Sequence, residues 1–371
     1  MRILHINKTY YPDTFGGIEQ CIYQLCEGCA SHGIDSHVLT LSRNAQTPIL
    51  SLGKHTVHRA RLDLEIASTG FSLPYIHQFI KLSSEADILH YQFPWPFSDM
   101  VRFITTTKIK KPYIITYQSD IVKQKRLLKL YAPLRDDFLK KADCIVTTSP
   151  NYLRTSDVLR PFRDRVKIIP IGIDRERYPV PTADCISKWR KILPERFFLF
   201  IGATRYYKGL HILLDALGGA DYPLVILGSG PCDAALKAQA SKLGLKNSRF
   251  LGALPDEDKM AVLKLSYAVV LPSHIRTEAF GICLLEGAMY GKPLISTEIG
   301  TGTTYINVDG ETGLVAPPDN PGTLKSAMYS LWKDPCLAES MGRRAHARYL
   351  DVFTADRMVQ SYIEIYKELL A

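Results

Sequence analysis

Short apolar runs alternate with amphipathic stretches along the whole chain, and no other feature restricts the possible folds as strongly. Apolar runs bounded by turn signals read as strands buried on both faces, the kind that parallel sheets use. In the first half, strands are expected at Arg2–Asn7, Ser36–Leu41, Thr56–Arg61, Asp87–Gln92, Tyr113–Tyr117, Asp143–Thr148 and Val166–Pro170. Helical periodicity fits Ile18–Ser31, Leu73–Ser84, Gln124–Lys140 and Asn151–Leu159. The rhythm breaks at Ile169–Arg177, IPIGIDRER, and a linker-like stretch with two prolines, Tyr178–Ala183, follows. A domain boundary belongs there. The pattern then restarts with strands at Phe197–Ile201, Leu224–Leu227, Ser248–Leu251, Ala268–Leu271 and Pro293–Ser296. Helices are expected at Leu210–Leu217, Asp233–Leu243, Asp256–Lys264, Ile282–Tyr290, Thr323–Trp332, Cys336–Tyr349 and Ala355–Leu370. Strand and helix in alternation imply an α/β protein with parallel sheets. The 371 residues suffice for two such domains, over 1–171 and 172–371. Two doubly wound halves are expected to form a cleft at the carboxyl ends of their strands, where open α/β sheets bind ligands.

Several function classes fall away. No apolar run approaches the ~18 residues of a membrane span. The opening MRILHINKTYY enters a strand directly and has no small-residue cleavage site, so a secretory signal is not expected. Eight cysteines include one CxxC, Cys26 and Cys29, with no second pair to complete a zinc site. Reduced thiols in a cytosolic protein are the expectation. The formal net charge is +9, and residues 102–177 alone hold 18 basic and 8 acidic groups. Lys108, Lys110, Lys111, Lys123, Lys125, Arg126, Lys129, Lys140 and Lys141 are densest there. A solvated basic face and an attraction to a bilayer or a lipid pyrophosphate explain this equally well. Nucleic acid fits least, because aromatic residues do not interleave the lysines.

Several segments are candidates for chemistry. Gly16-Gly17 precedes a helix, where paired glycines let backbone N–H groups approach a phosphate; a tight turn needing positive φ is the plain alternative. In GATRYYKG, Arg205 and Lys208 lie on a strand-to-helix loop and can converge on one anion, the guanidinium as a fork of donors and the ammonium as a point charge. In EAFGICLLE, Glu278 sits in a loop, whereas Glu286 is the only charge in an apolar helix and needs a hydrogen-bonding partner. Sugar hydroxyls would serve as that partner; a glycosidase carboxylate pair is the competing reading. Gly228-Ser-Gly230 and Gly300-Thr-Gly302-Thr-Thr304 read as turns or cleft loops, and Tyr117-Gln118-Ser119-Asp120 ends a strand. His90 also ends a strand, where a lone histidine is more often structural than catalytic. GxSxG, HExxH and GxxxxGK[ST] motifs are absent.

The paired glycines, the R-x2-K loop, E-x7-E, and the runs IPIGID and DGETGLVAPP together resemble glycosyltransferase family 4. This family comprises retaining, nucleotide-sugar-dependent enzymes of the GT-B fold, with two Rossmann-like domains facing across a cleft. The resemblance covers essentially the whole chain. Through GTGTTYIN it extends to bacterial mannosyltransferases of O-antigen or exopolysaccharide assembly. It implies that Glu286 holds the donor ribose, that Glu278 contacts the transferred sugar, and that Arg205 and Lys208 neutralise the diphosphate. Gly17, with Gly16, closes on that diphosphate from the other domain, and the amides of Phe280, Gly281 and Ile282 complete the anion site. Gln118 stands where many members have histidine, so a mechanism needing an imidazolium there does not apply. Asp120 is implied on the acceptor side. The resemblance further implies no metal and no cofactor, a GDP-mannose donor, and a glycan acceptor on undecaprenyl diphosphate. It implies a cytoplasmic protein held peripherally on the anionic inner membrane surface, with other polysaccharide-assembly enzymes as further partners. The last helix, 355–370, is implied to pack back on the first domain. A GT-B-like sugar-nucleotide epimerase, a transferase using a UDP-sugar, and a non-catalytic sugar-nucleotide-binding protein are the alternatives.

Overall fold

Ten strands in chain order build the first sheet region: β1 (Arg2–Ile6), β2 (Asp35–Ser42), β3 (Ile49–Leu52), β4 (His55–Arg61), β5 (Leu64–Ile66), β6 (Thr69–Phe71), β7 (Ile88–Phe93), β8 (Tyr113–Tyr117), β9 (Cys144–Thr147) and β10 (Val166–Ile168). The computed structural model describes residues 1–66, 69–121, 125–220 and 222–371, without the side chains of Lys125 and Arg126. Eight of these strands form one sheet in the order β10-β9-β8-β7-β1-β2-β4-β3, and β5 and β6 form a separate hairpin. All pairings in the large sheet are parallel except the edge pair β3–β4. The order reverses between β1 and β7, which makes that point the sheet's topological switch.

The chain divides into two compact units, and the first comprises residues Met1–Gly172 together with Ala355–Ala371. The final helix, Ala355–Leu370, therefore belongs to the first unit and packs beside the helix Gly17–Ala30. A Cβ placed on Gly28 would come within 2.4 Å of Val359, so only glycine permits that close approach. Under the helix lies a buried polar chain. The His90 ring bonds Tyr366 Oη at 2.8 Å and Thr116 Oγ1 at 2.7 Å, and Thr116 Oγ1 bonds Tyr362 Oη at 2.8 Å. His90 is thus a satisfied core residue whose pKa burial lowers to about 3. Cys26 and Cys29 are buried on the Gly17–Ala30 helix, and no group of metal-holding side chains occurs among the described residues.

The second unit, Ile173–Thr354, holds β11 (Phe198–Ile201), β12 (Leu224–Leu227), β13 (Ser248–Gly252), β14 (Ala268–Leu271), β15 (Leu294–Thr297) and β16 (Gly313–Ala316). They form one all-parallel sheet in the order β13-β12-β11-β14-β15-β16. The central strands read FLFI, LVIL and AVVL and are buried throughout, as a parallel sheet covered on both faces requires. Its switch point lies between β11 and β14. The stretch expected to be a linker, Tyr178–Ala183, joins a short 3-10 turn, Arg175–Arg177, to the helix Ala183–Ile192. Thr182 caps that helix by accepting a hydrogen bond from Cys185 N at 3.3 Å.

Candidate functional site

The carboxyl ends of β11 and β14 flank the switch point of the second sheet, and the candidate residues follow them directly. After β11 the chain makes a 3-10 turn, Tyr206–Lys208, with Arg205 as its first residue, and enters the helix Leu210–Leu217 through Gly209. Gly209 has φ 70°, and a Cβ there would sit 2.0 Å from the Pro272 carbonyl oxygen. Glycine is required on both counts, and it brings this loop against the one that follows β14.

Lys208 and Glu278, one from each loop, form an ion pair of 2.5 Å with side chains 13% and 12% exposed. Burial works against the ammonium charge, but the Glu278 carboxylate more than offsets it, so the Lys208 pKa is raised. Arg205 is exposed and makes no ion pair among the described residues, which leaves one unmatched cation beside a matched one. Glu278 is held from behind. Thr301 Oγ1 donates to its carbonyl at 2.8 Å and Gly302 N donates to Ala279 O at 2.9 Å, so the GTGTT segment buttresses this loop. Gly281 is the N-cap of the helix Ile282–Met289, whose first N–H groups have no intrahelical acceptor. Phe280 is buried with its ring against Phe353, and Ile282 opens the helix.

Glu286 lies within that helix at 4% exposure. The partner its burial demands is Lys259, from the helix Asp256–Leu265, whose Nζ donates to Glu286 Oε1 at 3.1 Å. Burial again disfavours the ammonium, and Glu286 and then Asp256 reverse the effect, so the Lys259 pKa is raised. The E-x7-E reading missed Lys259, although an acid in an apolar helix signals that a cation is needed. Cys283 reports how these groups cluster. Burial first pushes its thiol up to about 12, Lys208 opposes, and Glu278 and Glu286 add to the rise. Arg205, Lys208, Glu278, Phe280, Gly281, Ile282 and Glu286 therefore gather at the switch-point end of one sheet, where they can receive an anion and a polyhydroxyl ligand.

The remaining expected residues belong to the first unit. Gly16 is extended at φ −159° and Gly17 starts the helix, so a positive-φ turn is not why glycine stands there. The nearby Glu19 is buried and accepts hydrogen bonds from Thr9 Oγ1 and Thr14 Oγ1, each at 2.8 Å. Sequence reasoning did not single out this carboxylate in the helix's first turn. Gln118, after β8, is 4% exposed, and its Nε2 donates to Gln92 Oε1 at 2.7 Å. The Asp120 carboxylate accepts from Tyr117 Oη at 2.8 Å and from Ser156 Oγ at 2.7 Å.

The basic surface also lies on this unit. Lys108, Lys110, Lys129, Lys140 and Lys141 are exposed; Lys123 and the side chains of Lys125 and Arg126 lie outside the described residues. A cavity of about 570 Å³ is lined by Arg102, Lys110, Lys111 and Lys141 together with Asp99, Asp137 and Asp143. An apolar groove of about 360 Å³ beside it is lined by Ile66, Phe71, Met100, Leu127 and Leu130. No helix among the described residues is long and apolar enough to cross a membrane.

Comparison with known proteins agrees with both the fold and the motifs. Residues 15–177 match the family described as Glycosyltransferase Family 4, and residues 184–348 match Glycosyl transferases group 1. The chain is 59% identical over 355 residues to the D-rhamnosyltransferase WbpZ of Pseudomonas aeruginosa, covering 96% of this chain and 93% of that one. It is 46% identical over 371 residues to the O-antigen chain mannosyltransferase C of Escherichia coli, covering 100% and 99%. Among solved structures, Anabaena HepE in complex with UDP-glucose superposes with a TM-score of 0.80 at 19% identity, covering 99% of this chain and 100% of that one. Sucrose-phosphate synthase from Thermosynechococcus elongatus does so with a TM-score of 0.82 at 20% identity, covering 100% and 99%. At these identities the structures speak for the fold alone, and the two close relatives speak for the family: the chain is a family 4 glycosyltransferase of the GT-B fold, built from two Rossmann-like units.

Proposed function

We propose that this enzyme is a retaining mannosyltransferase that moves mannose from GDP-mannose to a glycan carried on undecaprenyl diphosphate, in O-antigen or exopolysaccharide assembly. The observation that carries the reading is the Lys208–Glu278 ion pair beside the unmatched Arg205 at the switch point of the second sheet. Departure of the nucleoside diphosphate builds negative charge, and fixed cations with helix-end amides at Phe280, Gly281 and Ile282 stabilise it. Arg205 and Lys208 supply the charge that a divalent metal would otherwise supply. As the diphosphate binds, Lys208 turns from Glu278 toward it, freeing the Glu278 carboxylate to accept hydrogen bonds from the sugar. Glu286, oriented by Lys259, accepts the ribose hydroxyls. Gly16 and Gly17 approach the diphosphate, Gln118 bonds a donor-sugar hydroxyl without carrying charge, and Asp120 serves the acceptor side. Attack on the face from which the leaving group departs lets the leaving phosphate oxygen take the acceptor proton, so retention needs no protein base.

A second donor sugar has a specific observation in its favour, the 59% identity to a D-rhamnosyltransferase. D-Rhamnose is mannose without its 6-hydroxyl, so the two donors differ by a single hydroxyl group. The peripheral location on an anionic inner membrane surface is supported by the exposed Lys108, Lys110, Lys129, Lys140 and Lys141 and by the apolar groove of the first unit. The first test is a thermal-unfolding panel with GDP, UDP, ADP and GDP-mannose. Ligand at ~100 times its dissociation constant adds about 2.7 kcal/mol of stability. Stabilisation by GDP and GDP-mannose alone is expected, and a response to UDP instead overturns the guanine donor. Transfer assays with GDP-mannose and its 6-deoxy counterpart then separate the two sugars, and the anomeric configuration of the product tests retention.

A further inference from the structure

The paired glycines of the first unit are shaped by a carboxylate. Residues 7–16 run from the end of β1 to the helix Gly17–Ala30, beside the point where the order of the first sheet reverses. Glu19 stands in the first turn of that helix and is 7% exposed. Its Oε1 accepts from both Thr9 Oγ1 and Thr14 Oγ1, each at 2.8 Å, so one oxygen ties both ends of the segment Thr9–Thr14 to the helix. Its Oε2 lies against Gly16, where a Cβ would sit 2.6 Å away, with Cδ of the carboxylate at 3.4 Å. The Gly16 backbone is extended, at φ −159° and ψ 178°, a conformation open to any residue. Room for the carboxylate is what demands glycine there. An alanine would fit only if the end of Glu19 turned away, and the hydroxyls it holds would then be released.

The rest of the segment is fixed without Glu19. Arg59 Nη2 donates to Asp13 Oδ1 at 2.5 Å, and the same nitrogen donates to Ser42 Oγ at 3.0 Å and Asn44 O at 2.7 Å. Tyr10 is buried, its hydroxyl lies 3.0 Å from His55 Nε2, and its carbonyl accepts from Asp13 N and Thr14 N at 3.1 Å each. Loss of the carboxylate therefore leaves Tyr10–Asp13 in place and frees the stretch Thr14–Gly17. That stretch sets where the first N–H groups of the helix point. They have no intrahelical acceptor, and no side chain caps them. A carboxylate in the first turn also suits the positive end of the helix.

We propose that Glu19 is a positioning residue for glycosyl transfer: it holds Thr14–Gly17 so that the amides of the paired glycines face the departing diphosphate, and Gly16 is glycine to admit its carboxylate. The proposal rests on the reading that Gly16 and Gly17 approach the donor diphosphate. GDP release from GDP-mannose and from its 6-deoxy counterpart, with a synthetic mannosyl acceptor, tests it on the wild type, E19A, E19Q, G16A, G16A/E19A and R205A. Each protein is assayed well below its unfolding transition. E19A is expected to lower kcat and kcat/KM together by about ten- to a hundredfold while the donor KM holds, because misplaced amides matter most as charge builds on the leaving group. A residue serving stability alone would lower the melting temperature and leave kcat at the wild-type value. E19Q, whose carbonyl oxygen can accept the same two hydroxyls, is expected to recover most of the loss. G16A is expected to match E19A, and G16A/E19A to match either single variant within about twofold. Wild-type kcat in E19A, an E19Q as impaired as E19A, or a double variant whose loss is the product of the two single losses overturns the proposal. Should E19A fail to fold, T9V and T14V remove the hydroxyls and keep the carboxylate. Each is then expected to lower kcat, and wild-type kcat in both overturns the proposal. If the wild type turns over neither donor, or R205A matches the wild type, the donor-site reading itself fails, and the role of Glu19 with it.

Discussion

Replacing Lys259 by methionine keeps the length of the side chain and removes the charge that Glu286 is buried against. The Glu286 side chain is 5% exposed and that of Lys259 18%, with Asp256 a further 3.5 Å contact of the ammonium. Removing one partner of a buried pair costs about 3–5 kcal/mol. Because Lys259 keeps some contact with water, K259M should lie near the low end, about 3 kcal/mol. Urea unfolding followed by tryptophan fluorescence reads this well, since Trp189 and Trp332 both lie in the Ile173–Thr354 unit. The pH dependence has a defined sign. The Lys259 pKa is raised in the folded protein, so its contribution is complete below its ordinary value of about 10.4 and is lost as pH rises through the folded one. The deficit of K259M should therefore be full below that ordinary value and shrink as pH rises through the folded Lys259 value, where the wild type loses the same contribution. The double variant K259M/E286L should recover most of the stability while losing nucleotide binding, since an apolar pair of similar volume needs no counter-charge. Stability of K259M within about 0.5 kcal/mol of wild type, or a deficit that does not change with pH, would refute the reasoning.

Two further predictions concern the first unit. Burial lowers the His90 pKa from 6.5 to about 3, so the folded state loses stability as pH falls through that interval. His90→Gln should make the acid limb of the Trp95-monitored unfolding curve shallower by up to one proton, and an unchanged slope would place the acid sensitivity elsewhere. Burial raises the Asp99 carboxyl from 3.8 to about 8, although the Tyr131 hydroxyl that donates to it favours the ionised form. Stability should therefore fall as pH rises from about 4 to about 8, and Asp99→Asn should gain on the wild type across that window. Parallel stability curves for the two proteins would contradict this.

The parallel sheets were legible because strands such as FLFI, LVIL and AVVL are continuous apolar runs with helical periodicity on either side. The misses have local causes. The edge strand Ile49–Leu52 alternates with exposed positions and β5 of the hairpin is exposed throughout, so neither offers such a run. The helix Pro96–Ile104 hid within an aromatic and proline cluster, although Pro96 is well suited to the first turn of a helix. The helix Ala183–Ile192 was masked by the prolines before it, and β16, GLVA, opens on a glycine and is only half-buried at its centre, so it lacks the continuous apolar run of the other strands. At the site, E-x7-E and R-x2-K were legible because each lies within one loop or one helix. Lys259 was not, because it meets its partner only through the folding of distant segments, standing 27 residues from Glu286.

The return of the last helix to the first unit has a consequence for biosynthesis. Residues 173–354 are an uninterrupted insertion within the other unit, which is completed only by residues 355–371. A nascent chain emerging at about 5–20 residues per second can close the inserted unit while the earlier one still lacks its final helix. Until then the surface around Gly28, His90 and Thr116 stays open, and the hydroxyls of Tyr362 and Tyr366 that complete its polar chain have yet to leave the ribosome. The unit begun first is thus the one completed last.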